Sequence, residues 1–179
     1  MQEIEMKFKI DNVEIIKKKL KQLGCKLSKE LNQKDTVFVP DINDTSTGKG
    51  KMFIRIRNAN GTNELTLKKR SNSTIESKEI EFEVSSFDKA YEFLDTLGLV
   101  EWVTVEKKRI TTNYKKFNIC IDEVNRLGNF IEIEIVTEEE NRTSFYEQEI
   151  MEIAKELGIE IKSRINNFYD TMIRELDNK

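Results

Sequence analysis

At 179 residues, with 37% hydrophobic and 35% charged side chains, the chain suits one generous domain, 1–179, with a lean core. Its 30 basic and 33 acidic residues leave a formal charge of -3, so the global basic field of a nucleic-acid binder is absent and no DNA partner is expected. With no histidine, a Ser-His-Asp triad, His-ligated zinc and imidazole acid–base pairs are all excluded.

Strand periodicity opens the chain over 2–10, where Ile4, Met6, Phe8 and Ile10 alternate with Glu3, Glu5, Lys7 and Lys9. Asp11 and Glu14 resemble a capping box, and Val13, Ile16, Leu20 and Leu23 make a helical stripe that stops at Gly24. A strand is predicted over 33–40, a polar loop over 41–51, and strands over 51–58 and 63–70 joined by Asn60-Gly61, a tight-turn dipeptide. A loop over 71–77 leads to a strand at 78–85. A helix over 87–98 follows, with Ala90, Phe93, Leu94 and Leu97 expected inward. Strands at 102–113, 116–124 and 129–137 complete the sheet. Ser144 and Glu147 resemble a second capping box, opening a helix whose stripe is Phe145, Ile150, Ile153, Ala154 and Leu157. The tail, 163–177, reads as helical around Phe168, Met172, Ile173 and Leu176. Cys25 and Cys120 lie outside any CxxC spacing, no apolar run is long enough to span a bilayer, and no signal peptide is evident. Two reduced thiols in a cytoplasmic protein without a membrane partner are expected.

The polar positions of these strands carry charges rather than ordinary serines and threonines. Glu3, Glu5 and Lys7 share one face, as do Arg55 and Arg57, Glu64 and Lys68, Glu79, Glu81 and Glu83, Lys107 and Arg109, Cys120 and Asp122, and Glu132 and Glu134. Amphipathic helices need an apolar sheet face to cover, so the aliphatic positions belong outside and the charges line a concave interior. About eight curled strands close a barrel, giving an α+β fold: an eight-stranded antiparallel β-barrel with helices packed on the outside. Such an interior is expensive unless a ligand and metals complete its pairing. Carboxylates suit Mg²⁺ or Mn²⁺, and arginines and lysines suit phosphates. The pattern therefore points to a polyanion held with metal. The Walker A and GxGxxG patterns are both absent.

Glu3-Ile4-Glu5-Met6-Lys7 resembles the ExExK signature of the CYTH superfamily, the triphosphate tunnel metalloenzymes. It is followed in order by Lys34-Asp35-Thr36-Val37-Phe38, Arg55-Ile56-Arg57, Thr66-Leu67-Lys68, Glu79-Ile80-Glu81, Glu106-Lys107-Lys108-Arg109, Ile121-Asp122 and the run from Leu127 to Glu134. That superfamily groups class IV (CyaB-type) adenylyl cyclases, thiamine triphosphatases, inorganic tripolyphosphatases and fungal-type RNA triphosphatases. The resemblance implies a polar tunnel in which Glu3 and Glu5 bind metal from one side and Glu132 and Glu134 from the other. It implies that Arg55, Arg57, Lys68, Lys107 and Arg109 hold phosphates. Asp122 would position metal or substrate, and Lys7 would hold phosphate or help deprotonate a nucleophile. At least one of Glu79, Glu81 and Glu83 is expected merely to pair with a neighbouring cation. The family's C-terminal serine–tyrosine pair appears here as Phe168-Tyr169. Thr104 to Arg109 looks most like CyaB-type cyclases, implying ATP binding and conversion to cyclic AMP. The Glu132-x-Glu134 pair is shared with triphosphatases, whose substrate would be thiamine triphosphate, tripolyphosphate or a nucleoside triphosphate. A non-catalytic triphosphate-binding module is the third reading, and a homodimer is left open.

Overall fold

The computed structural model describes residues 2–41, 43, 50–70, 75–139 and 141–178. The elements run β1 (Gln2–Lys9), α1 (Val13–Gln22), β2 (Leu31–Val39), β3 (Met52–Ala59), β4 (Thr62–Arg70) and β5 (Glu76–Val84). They continue as α2 (Phe87–Thr96), β6 (Val100–Tyr114), β7 (Phe117–Val124), β8 (Gly128–Thr137) and α3 (Thr143–Glu156). A 3-10 turn (Ile161–Ser163), β9 (Arg164–Ile165) and α4 (Tyr169–Asp177) complete the chain.

Every strand pairing is antiparallel, in the order β5-β4-β3-β2-β6-β7-β8-β1. Pairing of Gln2–Ile4 with Glu76–Lys78 joins β1 back to β5 and closes the eight strands into a barrel. Closure covers the sheet edges over that short contact and gives the two faces different environments. The hairpin between β3 and β4 turns at Asn60 (φ 50°) and Gly61 (φ 94°), two left-handed residues that match the twist of the flanking strands.

Outward-facing apolar side chains of β1, β7 and β8 (Ile4, Met6, Phe8, Ile119, Ile121, Ile131 and Ile133) pack with Ile16 and Leu20 of α1 and Ile150, Ile153, Ala154 and Leu157 of α3. Each such side chain contributes roughly 1.5–3 kcal/mol when fully buried. A smaller outer cluster joins Phe38 and Ile56 to Ala90 and Leu94 of α2. The other half of the predicted α2 stripe lies outside it: Phe93 and Leu97 are 58% and 61% exposed. The face that packs is turned towards Phe87 and Tyr91, which join Ala90 and Leu94 on the barrel wall, so Phe93 and Leu97 fall on its far side.

The fourth helix packs differently from the other three. Tyr169 and Ile173 cluster with Val37, Phe53, Val103 and Val105. These share strand parity with the charged interior, so α4 seats against inward-facing apolar residues. Its predicted start at 163 is corrected to Tyr169, because 164–165 is extended and pairs with Lys7 and Phe8 of β1. Unpaired backbone groups on β1 beyond the β5 contact favour this addition over another helical turn. Both capping boxes are also revised. Asn12, not Asp11, caps α1 by accepting from the Ile15 N–H at 3.1 Å. Ser144 lies inside the first turn of α3, and Glu147 pairs instead with Arg164 at 2.8 Å. Of the predicted loops, 42, 44–49 and 71–74 lie outside the described residues, and β5 begins at Glu76 rather than 78. Among the described residues no helix is long and apolar enough to cross a membrane.

Candidate metal and phosphate site

Alternation along the strands places the charged positions in a cavity of about 460 Å³ inside the barrel. Ten predicted residues line it together: Glu3, Glu5, Lys7, Arg55, Arg57, Lys68, Lys107, Arg109, Glu132 and Glu134. Glu5 sits directly across from Glu134, and Lys7 from Glu132, in the β1–β8 register. Sequence positions more than a hundred residues apart thus meet because the closing strand is the first one.

One region is acidic. Carboxylate oxygens of Glu3, Glu5 and Glu134 lie within 4.8 Å of one another. Burial, then the neighbouring charges of Glu3, Glu132 and Glu5, pushes the Glu134 carboxyl up to about 8 despite Arg109. Burial also raises Glu3, against the pull of Lys68. Three hard oxygen donors in such close company fit a divalent cation such as Mg²⁺ or Mn²⁺, which would relieve the repulsion. Glu132 is placed differently from its expected partner Glu134. It meets Lys7 at 3.1 Å and also binds Arg109. Burial opposes its ionisation, but Lys7 and Arg109 hold it far below the usual carboxylate range.

Cations surround this trio. Lys68 reaches Glu3 at 3.0 Å and Glu5 at 3.7 Å and contacts Glu79, while Ser77 Oγ donates to Glu3 at 3.2 Å. Lys7 lies 4.0 Å from the centre of the Tyr169 ring. Arg109 Nε donates to Asp122 at 2.7 Å, and Arg57 donates through two nitrogens to Asp35 at 2.7 and 2.9 Å. Lys107 stands between these pairs, 3.7 Å from Asp35 and 3.9 Å from Asp122. Burial lowers its pKa, with Arg109 adding to the effect. Arg55 donates to Thr66 at 3.0 Å and Glu81 at 3.4 Å, at the more open end. Asp122 is fully buried behind Arg109 and contributes no lining surface. Cys120 is buried too, and burial pushes its thiol up, away from reactivity.

Glu79 and Glu81 are the partners of Lys68 and Arg55 respectively, whereas Glu83 is exposed and opposite Glu64. Several lining residues carried no sequence assignment: Asp35, Arg70, Phe53 and Asp170. Arg70 pairs with Asp170 at 3.3 Å, and its guanidinium carbon lies 4.7 Å from the Phe53 ring centre and 3.1 Å from that of Phe168. Strand parity with Lys68 was the available signal for Arg70, and parity with Val37 for Asp35. Nothing local announces Asp170, which reaches the cavity from α4.

Eight carboxylates and seven cations line the cavity, so its formal charge is close to balanced. A bare polyanion therefore gains little there. A polyanion carrying a divalent cation satisfies both regions at once.

The CYTH domain family matches residues 1–169. A provisionally named adenylate cyclase of Methanocaldococcus jannaschii is 30% identical over 94% of this chain and 97% of its own length. The adenylate cyclase CyaB of Aeromonas hydrophila is 24% identical, covering 97% and 89% respectively. The structure of a Pyrococcus horikoshii protein superposes with a TM-score of 0.81 and 28% identity, covering 99% of both chains.

Proposed function

The chain belongs to the CYTH family, and on that premise we propose that it is a metal-dependent triphosphate-processing enzyme, converting ATP to cyclic AMP and pyrophosphate. The observation that carries this reading is the meeting of the Glu3, Glu5 and Glu134 oxygens with a set of immobilised lysines and arginines in one cavity. Adenylate cyclase is also the activity named for both curated relatives.

Glu3, Glu5 and Glu134 would hold Mg²⁺ or Mn²⁺, while Glu132 beside them stays paired to Lys7 and Arg109. When bound, the ion would lower the pKa of the attacking hydroxyl and offset developing charge. The chain's own residues do the rest. Arg57, Lys107 and Arg109 are already hydrogen-bonded or ion-paired in fixed positions, so little ordering is needed when phosphates arrive. In the cyclisation, the ribose 3′-oxygen forms a bond to the α-phosphorus and gives its proton to water. The bond from that phosphorus to the bridging oxygen breaks, and pyrophosphate leaves on these cations. Arg55 and Lys68 hold the triphosphate towards the open end and the acidic trio. Lys7, braced by Glu132 and the Tyr169 ring, contacts phosphate near the reacting centre. Asp122 acts through Arg109, which it orients.

A triphosphatase reading uses the same residues, with water attacking the terminal phosphorus. It is favoured by one feature, the predominance of charged side chains in the cavity wall, fifteen of its lining residues, which addresses phosphates more than a base. The test is to incubate the protein separately with ATP, thiamine triphosphate and tripolyphosphate, with Mg²⁺ or Mn²⁺, and to resolve the products. Cyclic AMP with pyrophosphate supports the cyclase. Orthophosphate without cyclic product replaces it by the triphosphatase. Tight binding without turnover makes the chain a binding module.

A further inference from the structure

We propose that Asp35 is a positioning residue for the phosphate site, acting through Arg57 and Lys107. The inference rests on the triphosphate reading above and adds a residue to it.

Asp35 stands on β2, directly across from Arg57 of β3 in the register. Its two oxygens take the two nitrogens of that guanidinium, the fork geometry that fixes an arginine most firmly. On its other flank, one oxygen is 3.7 Å from Lys107 of β6. The same construction recurs with Arg109 of β6, which faces Asp122 of β7 directly in the register, and Lys107 is 3.9 Å from that aspartate. The result is an alternating belt, Arg57–Asp35–Lys107–Asp122–Arg109, across adjacent strands. Asp35 is 6% exposed, so little water competes with these partners for its oxygens.

A carboxylate here is costly to an anion site if attraction alone matters, since it opposes any phosphate. It also lies outside the metal-compatible trio found among the described residues. What it supplies is order. A guanidinium held by two hydrogen bonds keeps its remaining N–H donors in a fixed plane, and a paired ammonium stays charged although buried. Arg55, two positions along β3, has no such two-nitrogen clamp: a single nitrogen meets Glu81 at 3.4 Å and Glu64 at 3.8 Å, carboxylates that are 44% and 28% exposed. The belt thus divides the cations into a rigid set and a more adaptable one.

The two accounts of Asp35 predict opposite signs. Charge bookkeeping predicts that Asp35→Asn tightens anion binding; positioning predicts that it loosens it. Tripolyphosphate binding in Mn²⁺ should be measured by calorimetry for wild type, Asp35→Asn, Arg57→Gln and the double variant, beside Mn²⁺ binding without the anion. The expected result is an affinity loss of at least about tenfold for Asp35→Asn, with Mn²⁺ binding unchanged. Much smaller loss is expected when Asp35→Asn is added to Arg57→Gln, whose guanidinium is already gone. Turnover should show the loss in KM and in kcat together. If Asp35→Asn alone does not fold, the double variant leaves no unpaired guanidinium, and its comparison with Arg57→Gln decides. Equal affinity in those two supports positioning, and tighter binding by the double variant overturns it. Wild-type binding with an unchanged or tighter Asp35→Asn overturns this inference alone. Absence of tripolyphosphate binding by wild type overturns the functional reading with it.

Discussion

The Glu134 carboxyl offers a thermodynamic test that needs no substrate. Held near 8 rather than at its ordinary 4.5, it resists ionisation by up to about 5 kcal/mol. Because the folded value lies above the unfolded one, the stability this gives is complete below the unfolded value. It is lost as pH rises through about 8. Glu134→Gln makes the neutral form permanent and keeps an oxygen to accept from Asn118 Nδ2, which lies 2.6 Å from the carboxylate. Urea denaturation in EDTA should therefore show the wild type losing roughly 2–5 kcal/mol more than the variant between pH 5 and pH 9. At pH 9 the variant should be the more stable protein. Saturating Mn²⁺ should reverse that order, since only the wild type keeps all three carboxylates to bind it. Superimposable stability–pH curves for the two proteins in EDTA would refute the argument, for they would mean that Glu134 ionises in the fold as easily as in water.

Arg57→Ala removes one clamped guanidinium and leaves Asp35 facing Lys107, so steady-state assays should show kcat/KM falling by roughly a hundredfold. Ile153→Ala, in the fully packed outer core, should cost about 2–4 kcal/mol by chemical denaturation. Leu97→Ser should stay within roughly 0.5 kcal/mol of wild type in the same assay, because that side chain is 61% exposed. Ile173→Ala should loosen α4 from the inward-facing cluster, seen as faster amide hydrogen exchange in α4 while α1 and α3 keep their protection.

Period-2 alternation made the barrel legible, because one face of nearly every strand is aliphatic and the other charged. That same parity placed Glu3, Glu5, Lys7, Arg57, Lys107 and Glu134 in one cavity without any knowledge of pairing. Pairing partners were not legible. Whether Glu132 faces metal or Lys7 depends on the β1–β8 register, which sets it directly across from Lys7, and its carboxylate meets Lys7 and Arg109. Asp35 lies within the motif Lys34 to Phe38, but its role depends on β2 lying between β3 and β6, which no local pattern shows. Asp170 and Arg70 are a hundred residues apart and meet through α4, which local pattern described only as an amphipathic tail. The α2 stripe erred for a geometric reason: apolar residues run most of the way round this helix, and the face that packs is the one carrying Phe87, Ala90, Tyr91 and Leu94. Phe93 and Leu97 fall outside that face.

The central claim is that the acidic trio and the clamped cations act together, holding a triphosphate only when a divalent ion accompanies it. Calorimetric titration of tripolyphosphate into wild type, Glu5→Gln and Arg57→Ala, each with Mn²⁺ and with EDTA, tests it most directly. The account predicts tight binding by wild type in Mn²⁺ and weak binding in EDTA. It also predicts that Glu5→Gln loses the metal dependence and that Arg57→Ala weakens binding in Mn²⁺ by at least about tenfold. Equal binding by all three proteins, unaffected by EDTA, would contradict it.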